Sequence, residues 1–285
     1  MPSTTNHSEP PAPKVGGGSV LDATPDSNGQ AKRTHHIPRF ETKEAERRWS
    51  LEQMAGAFRV FAKLGFADGA SDPIDPRTFW INPYGIHFGL LTISDMVLVD
   101  EDGNRVGGAD MPVSTGGFLI HSAIHQARPD INVACHMHSP YGRAWATFGL
   151  PIEMLNQDCC MFYDDLAVYE DFGGVVFAKE EGARIAKALG PYKKNIILQN
   201  HGLLTGGGTV GEAAGFFIAL ERACQTQLLV EAAVKPDGSR LKKTYVGEEE
   251  AIYTKKNIGG PDVMYMQFAP EYRMILKETK GDFLE

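Results

Sequence analysis

GGFLIHSAIHQARPDINVACHMHS, Gly116–Ser139, changes its hydrophobic period partway along. Its first half has helical apolar spacing, and Pro129 cannot continue a helix, so the pattern predicts a short helix that stops before it. NVACHMHS, Asn132–Ser139, reads as a strand. A helix delivered within a few residues to a strand is the repeating gesture of an α/β domain. Alternate side chains of a strand share a face. His136 and His138 therefore project together, and Cys135 and Met137 point the other way.

The surrounding sequence extends this reading. ETKEAERRW is compatible with a helix, and Ser50 and Gln53 have capping-box spacing ahead of the apolar helical pattern that runs to Gly65. FWINP and DMVLVDEDG read as strands, the second closed by an Asp102–Gly103 turn. EEGARIAKALGPY predicts a helix ended at Gly190–Pro191, and NIILQ a buried strand. Thr209 and Glu212 are spaced as a second capping box, and the glycine run Gly206–Gly208 reads as a tight turn into the helix they open. The sum is a mixed α/β domain, one sheet covered by helices. Residues 1–40, rich in Pro, Ser, Gly, Asn and Thr, read as a disordered tail. Residues 41–235 read as the main domain. Residues 236–285 read as an arm that packs on the core or on a neighbouring subunit.

Composition narrows the function. With 28 basic against 36 acidic residues the net charge is −8, and no dense Lys/Arg stripe occurs, which argues against nucleic acid. No apolar run approaches the ~20 residues that span a bilayer. Cys135, Cys159, Cys160 and Cys224 have no C-x-x-C spacing and read as reduced thiols. MPSTTNHSEPPAPK lacks the apolar segment of a secretory signal. The expectation is a cytoplasmic protein.

Two imidazoles on one strand face make half of a transition-metal site, although on spacing alone packed or solvent-facing histidines fit better. QNHGLLTGG supplies a third: NIILQ runs into His201–Gly202, where the glycine frees the backbone to turn. Three-histidine ligation leaves an open position for water or substrate. His121 and His125 are four apart on a helix without the Glu of a metalloprotease motif, so a structural role fits them best, with orienting a ligand histidine or contacting substrate as the alternatives. Asp158 and Tyr163, in QDCCMFYDDLAVYEDF, are candidate general acid–base groups, or structural hydrogen-bonders. Cys159 and Cys160 read as buried and inert.

FWINPYG, HSAIHQARPDINVACHMHSPYGRA, NIILQNHGLLTGG and EAAGFFIALERA occur in one order, and together they resemble the class II aldolase/adducin head-domain family over about residues 45–235. The resemblance implies a three-layer α/β/α sandwich with a mixed central sheet, and a homotetramer with sites near subunit boundaries. Tyr265, Phe268 and Tyr272 of the arm are expected to reach a neighbour. The resemblance also implies that His136, His138 and His201 hold zinc(II), with iron(II) or manganese(II) as alternatives. The family's catalytic glutamate falls on Gly117, in PVSTGGFLIH, and its paired serines on Thr115 and Gly116. The chain also passes from FADGA directly to SDPIDPRTFW, shortened where relatives carry a substrate-binding strand. These departures count against a sugar-phosphate aldolase. The first expectation is a metal-dependent carbon–carbon lyase, by decarboxylation or retro-aldol cleavage, on a small oxygenated carboxylate or carbonyl compound. The alternatives are a non-catalytic adducin-like scaffold with cytoskeletal partners, and a non-haem iron oxygenase.

Overall fold

The computed structural model describes residues 37–66, 78–174 and 179–285, and the backbone alone of residues 70–75. The expected tail lies outside these residues up to position 36, and of the shortened stretch around FADGA and SDPIDPR only the backbone of residues 70–75 and residues 66 and 78 onward are described. The first helix, α1, spans Lys43–Lys63. Its cap is Thr42, extended in backbone, whose Oγ1 accepts from Ala45 N, and Glu44 and Glu46 favour the first turn by their charge. Ser50 is buried within this helix, so the expected Ser50–Gln53 box does not form. The acidic run before it was already helical.

Strand β1 (Ala70–Asp75) pairs with β2 (Thr78–Ile81), which pairs with β3 (Val97–Asp100), which pairs with β4 (Arg105–Gly108), all antiparallel. Gly103 makes the expected turn, with φ of +83° and its N–H on Asp100 O. Helix α2 (Thr115–Ala127) starts at Ser114, whose hydroxyl accepts from Gly117 N, and stops at Arg128 before Pro129. It delivers the chain to β5 (Val133–Met137), which runs into α3 (Pro140–Ala146). Then come β6 (Leu166–Tyr169), α4 (Lys179–Leu189), β7 (Asn195–Leu198), β8 (Gly202–Gly207) and α5 (Val210–Ala232).

The strands form one mixed sheet in the order β4-β3-β2-β1-β5-β8-β7-β6, with β6 and β7 parallel and the other pairs antiparallel. One face buries Phe58 and Phe61 of α1 with Phe216, Phe217 and Leu220 of α5, against Val133, Cys135 and Met137 of β5. The other buries Ile120 and Ile124 of α2 with Ile185 and Leu189 of α4, against Ile196, Leu198 and Leu204. The result is a three-layer α/β/α sandwich. The alternation along β5 sends Cys135 and Met137 to the α5 side.

Two glycine readings change. Gly206 and Gly207 belong to β8 and do not form a turn. A Cβ on Gly207 would stand 2.9 Å from Ala213 N, so the run lets α5 press on the strand. Thr209 caps α5, accepting from Glu212 N at 3.2 Å, but the Glu212 carboxylate takes Gly208 N at 2.7 Å and not the Thr209 N–H of a reciprocal box.

Residues after Lys235 form α6 (Glu248–Ile258) and α7 (Pro261–Glu278). Met264 and Phe268 of α7 are fully buried in the chain's own core. Tyr265 and Tyr272 lie over Gly211 and Gly56, where a Cβ would stand 2.4 and 2.2 Å from the rings. These rings are seated on α5 and α1 of the same chain, and both stay partly exposed. Small residues opposite each ring create the room.

Candidate metal centre

His136 lies near the end of β5, the central strand beside β8, and is 5% exposed. Its Nδ1 stands 2.9 Å from Leu203 O. A carbonyl only accepts, so Nδ1 carries the proton and Nε2 keeps its lone pair for another partner. His138 follows the strand, where Glu221 of α5 grips the next residues. Its carboxylate accepts from the Ser139 hydroxyl at 2.5 Å, Tyr141 N at 2.8 Å and Gly142 N at 2.6 Å. His201 sits in the turn between β7 and β8, its N–H on Leu198 O at 3.0 Å. The left-handed residue of that turn is Asn200, φ +56°, and not the glycine. Gly202 serves by lacking a side chain, since a Cβ would stand 2.7 Å from Met137 O and 3.4 Å from the His138 ring. The glycine lets β8 bring His201 against His138.

The three rings meet edge to face. Centroids are 5.4 Å apart for His136–His138 and 4.8 Å for both His136–His201 and His138–His201. One nitrogen from each lies within 4.8 Å of the others. Three imidazole nitrogens gathered this closely are a donor set that would suit a transition metal. Burial first, then the neighbouring imidazoles, push the His136 pKa well below the ordinary histidine value. Burial and His138 lower His201 to about 4, against an opposing pull from Glu181. Both are neutral near pH 7, the form that ligates metals.

His121 and His125 face the same side of the sheet from α2. Burial takes them to about 3 and about 4, so both are neutral. His125 Nδ1 donates to Ile131 O at 2.8 Å, and its ring stacks on Phe79. His121 has no hydrogen-bond partner on either nitrogen among the described residues, and its ring lies 6.5 Å from that of His136. One turn before it, a Cβ on Gly117 would meet the Ser114 side chain at 3.5–3.6 Å and nothing closer among the described residues.

Tyr163 and Asp158 are not brought to the histidines. Strand β6 runs parallel to β7, with Leu166 opposite Asn195 and Tyr169 opposite Leu198. Both residues precede the start of β6, whereas His201 follows the end of β7, so they lie at the other end of the strand pair. The Tyr163 hydroxyl donates to Glu248 at 2.8 Å, which raises its pKa, and Asp158 is exposed. Cys159 and Cys160 are buried thiols whose pKa burial raises, which makes them poor nucleophiles.

Two residues near the cluster escaped the sequence reading. The ring of Phe172 lies 6.4 Å from that of His201. Glu181, 7% exposed, takes a bond from the Tyr169 hydroxyl at 3.0 Å and pairs with Arg184. The signal for Glu181 was present: it stands four residues before Ile185 and eight before Leu189, on the buried stripe of α4.

A mixed-sheet sandwich with three histidines gathered at the ends of its central strands has the architecture of the class II aldolases. The chain belongs to the family described as Class II Aldolase and Adducin N-terminal domain, which residues 52–228 match. It is 41% identical to Decarboxylase NovR of Streptomyces niveus, over 70% of this chain and 76% of that one. It is 40% identical to 4-hydroxy-3-prenylphenylpyruvate oxygenase/4-hydroxy-3-prenylbenzoate synthase of Streptomyces roseochromogenus subsp. oscitans, over 70% of this chain and 74% of that one. Among solved structures it resembles L-fuculose 1-phosphate aldolase from Glaciozyma antarctica PI12, with a TM-score of 0.78 and 38% identity over 87% of this chain and 96% of that one. The family and fold expected from the sequence hold. Among the described residues no helix is long and apolar enough to cross a membrane.

Proposed function

We propose that this chain is a metal-dependent carbon–carbon lyase that decarboxylates a small oxygenated carboxylate, with retro-aldol cleavage as the related reaction. The observation that carries the reading is the convergence of His136, His138 and His201. A divalent ion bound by them, zinc(II) first and iron(II) or manganese(II) next, supplies Lewis-acid stabilisation of the charge left when the bond to carbon dioxide breaks. Three neutral imidazoles leave that ion's charge uncompensated, which suits an anionic chelating substrate such as a 2-oxo or 2-hydroxy acid.

The protein's own residues set the rest. His136 holds its tautomer through Leu203 O. Gly117 moves no proton, and general acid–base help is typically worth ~10²–10⁴-fold, so phosphorylated ketoses are expected to turn over negligibly. The similarity to a named decarboxylase supports the choice of reaction. Tyr163 and Asp158 take no part in this reading, because they stand at the far end of the strand pair. The similarity to a named oxygenase favours a second reading with the same ligands, iron(II) and dioxygen.

The test screens 2-oxo and hydroxylated aromatic acids anaerobically with zinc, manganese and iron(II) separately, then repeats the iron arm in air. Carbon dioxide release without oxygen supports the lyase. Strict dependence on iron and oxygen together replaces it with the oxygenase. No turnover in either arm, with metal retained, leaves the adducin-like scaffold reading standing.

A further inference from the structure

The most anomalous group in the described structure is His121. It is 1% exposed, and neither ring nitrogen has a hydrogen-bond partner among the described residues. Buried polar atoms are nearly always paired, and an orphaned one calls for a function or an unseen ligand. The fold does not require a histidine here. Packing between α2 and the sheet is supplied by Phe118, Ile120 and Ile124, and the other histidine of the helix, His125, is anchored on Ile131 O. A leucine at 121 would fill the same layer with no polar atom left over.

Its placement points to the metal cluster. His121 faces the same side of the sheet as His136, 6.5 Å between ring centroids, against 4.8–5.4 Å among the three clustered rings. It is adjacent to the cluster and not a member of it. Gly117 stands four residues earlier, on the same face of α2, and is partly exposed where His121 is not. A Cβ at Gly117 would meet only the Ser114 side chain, at 3.5–3.6 Å, among the described residues.

We propose that His121 is a substrate-binding residue, its imidazole N–H donating to a carboxylate or oxo oxygen of an anionic ligand held at the His136–His138–His201 cluster, with Gly117 providing the room. This rests on the metal reading of the cluster. A neutral imidazole offers one donor and one acceptor, and in an apolar layer a single bond to an anionic oxygen is strong. His121 orients the ligand and leaves the metal to its three partners.

The test uses the full chain loaded with cobalt(II), and oxalate and pyruvate as probes, followed by calorimetry and by the visible cobalt spectrum. His121→Leu, His121→Gln and Gly117→Leu are compared with the wild type. Metal content is expected to be unchanged in all three. Oxalate affinity is expected to fall ~10–100-fold in His121→Leu, the loss of one hydrogen bond to a charged group, and less in His121→Gln, which keeps a donor. Gly117→Leu is expected to weaken the probe with His121 intact, which decides the matter if a His121 variant fails to fold. Wild-type affinity in His121→Leu and Gly117→Leu overturns the proposal, as does loss of cobalt from folded His121→Gln, which would make the residue a support for the ligands. Failure of the wild type to hold cobalt overturns the metal reading itself, and this inference with it.

Discussion

At the scale of single residues, the metal reading places unequal demands on the three histidines. His136 is buried, with its tautomer set by Leu203 O, whereas His201 hangs from a turn. Elemental analysis of protein purified without chelator is expected to give about one transition metal per chain, sharply reduced in His136→Ala and His201→Ala. Undiminished metal in both variants would remove the site. The glycines make a second, paired prediction. Gly117→Ala meets only ordinary contacts in a helix and is expected to stabilise by ~0.4–1 kcal/mol. Gly202→Ala drives a methyl to 2.7 Å from Met137 O, and overpacking of this kind costs ~1–3 kcal/mol. Urea unfolding of the two proteins side by side checks the sign; equal stability would show that β8 can give way. The histidines were legible in the H-x-H and N-H-G spacing. The reason for Gly202 was not, because its neighbour Met137 is distant in sequence and adjacent only across the sheet.

Helix α3 has seven residues and its cap, Ser139, adjoins His138, so whatever holds the start of the helix also holds that histidine. The holder is Glu221, 3% exposed, whose oxygens take three donors from Ser139, Tyr141 and Gly142. The start of a helix favours a carboxylate, which offsets part of the cost of burying this one. In Glu221→Gln an amide N–H₂ must face donors it cannot accept from. Removing a group that orients a ligand typically costs 10–100-fold in metal affinity, and a loss of about that size is expected by chelator competition. Unchanged affinity with only a lower melting temperature would confine Glu221 to stability. Between Phe217 and Cys224 on the buried face of α5, a glutamate was a visible irregularity in the sequence. Its partners were not, since they come from eighty residues earlier in the chain.

For the whole molecule, the homotetramer implied by the family resemblance has exposed apolar surface to draw on. Candidates lie around the histidines. Tyr141, Phe148, Leu150 and Phe172 are 41%, 59%, 51% and 50% exposed, too much apolar surface in one region to be incidental. Sedimentation at micromolar concentration is expected to give four subunits, and Phe148→Glu to shift the distribution toward smaller species. A wild-type monomer would refute this.

By itself the sequence determined the layers and the candidate histidines. Hydrophobic period is a local property, so Gly116–Ser139 announced helix then strand, and strand alternation put His136 and His138 on one face. Tertiary structure decided what lies across from what. It carried His201 to the pair through the β5–β8 register, and it left Tyr163 and Asp158 at the opposite end because β6 runs parallel to β7. It also seated the aromatic residues of α7 on glycines of α1 and α5. Those outcomes depend on strand direction and on room between distant segments, which are settled only when the chain closes on itself.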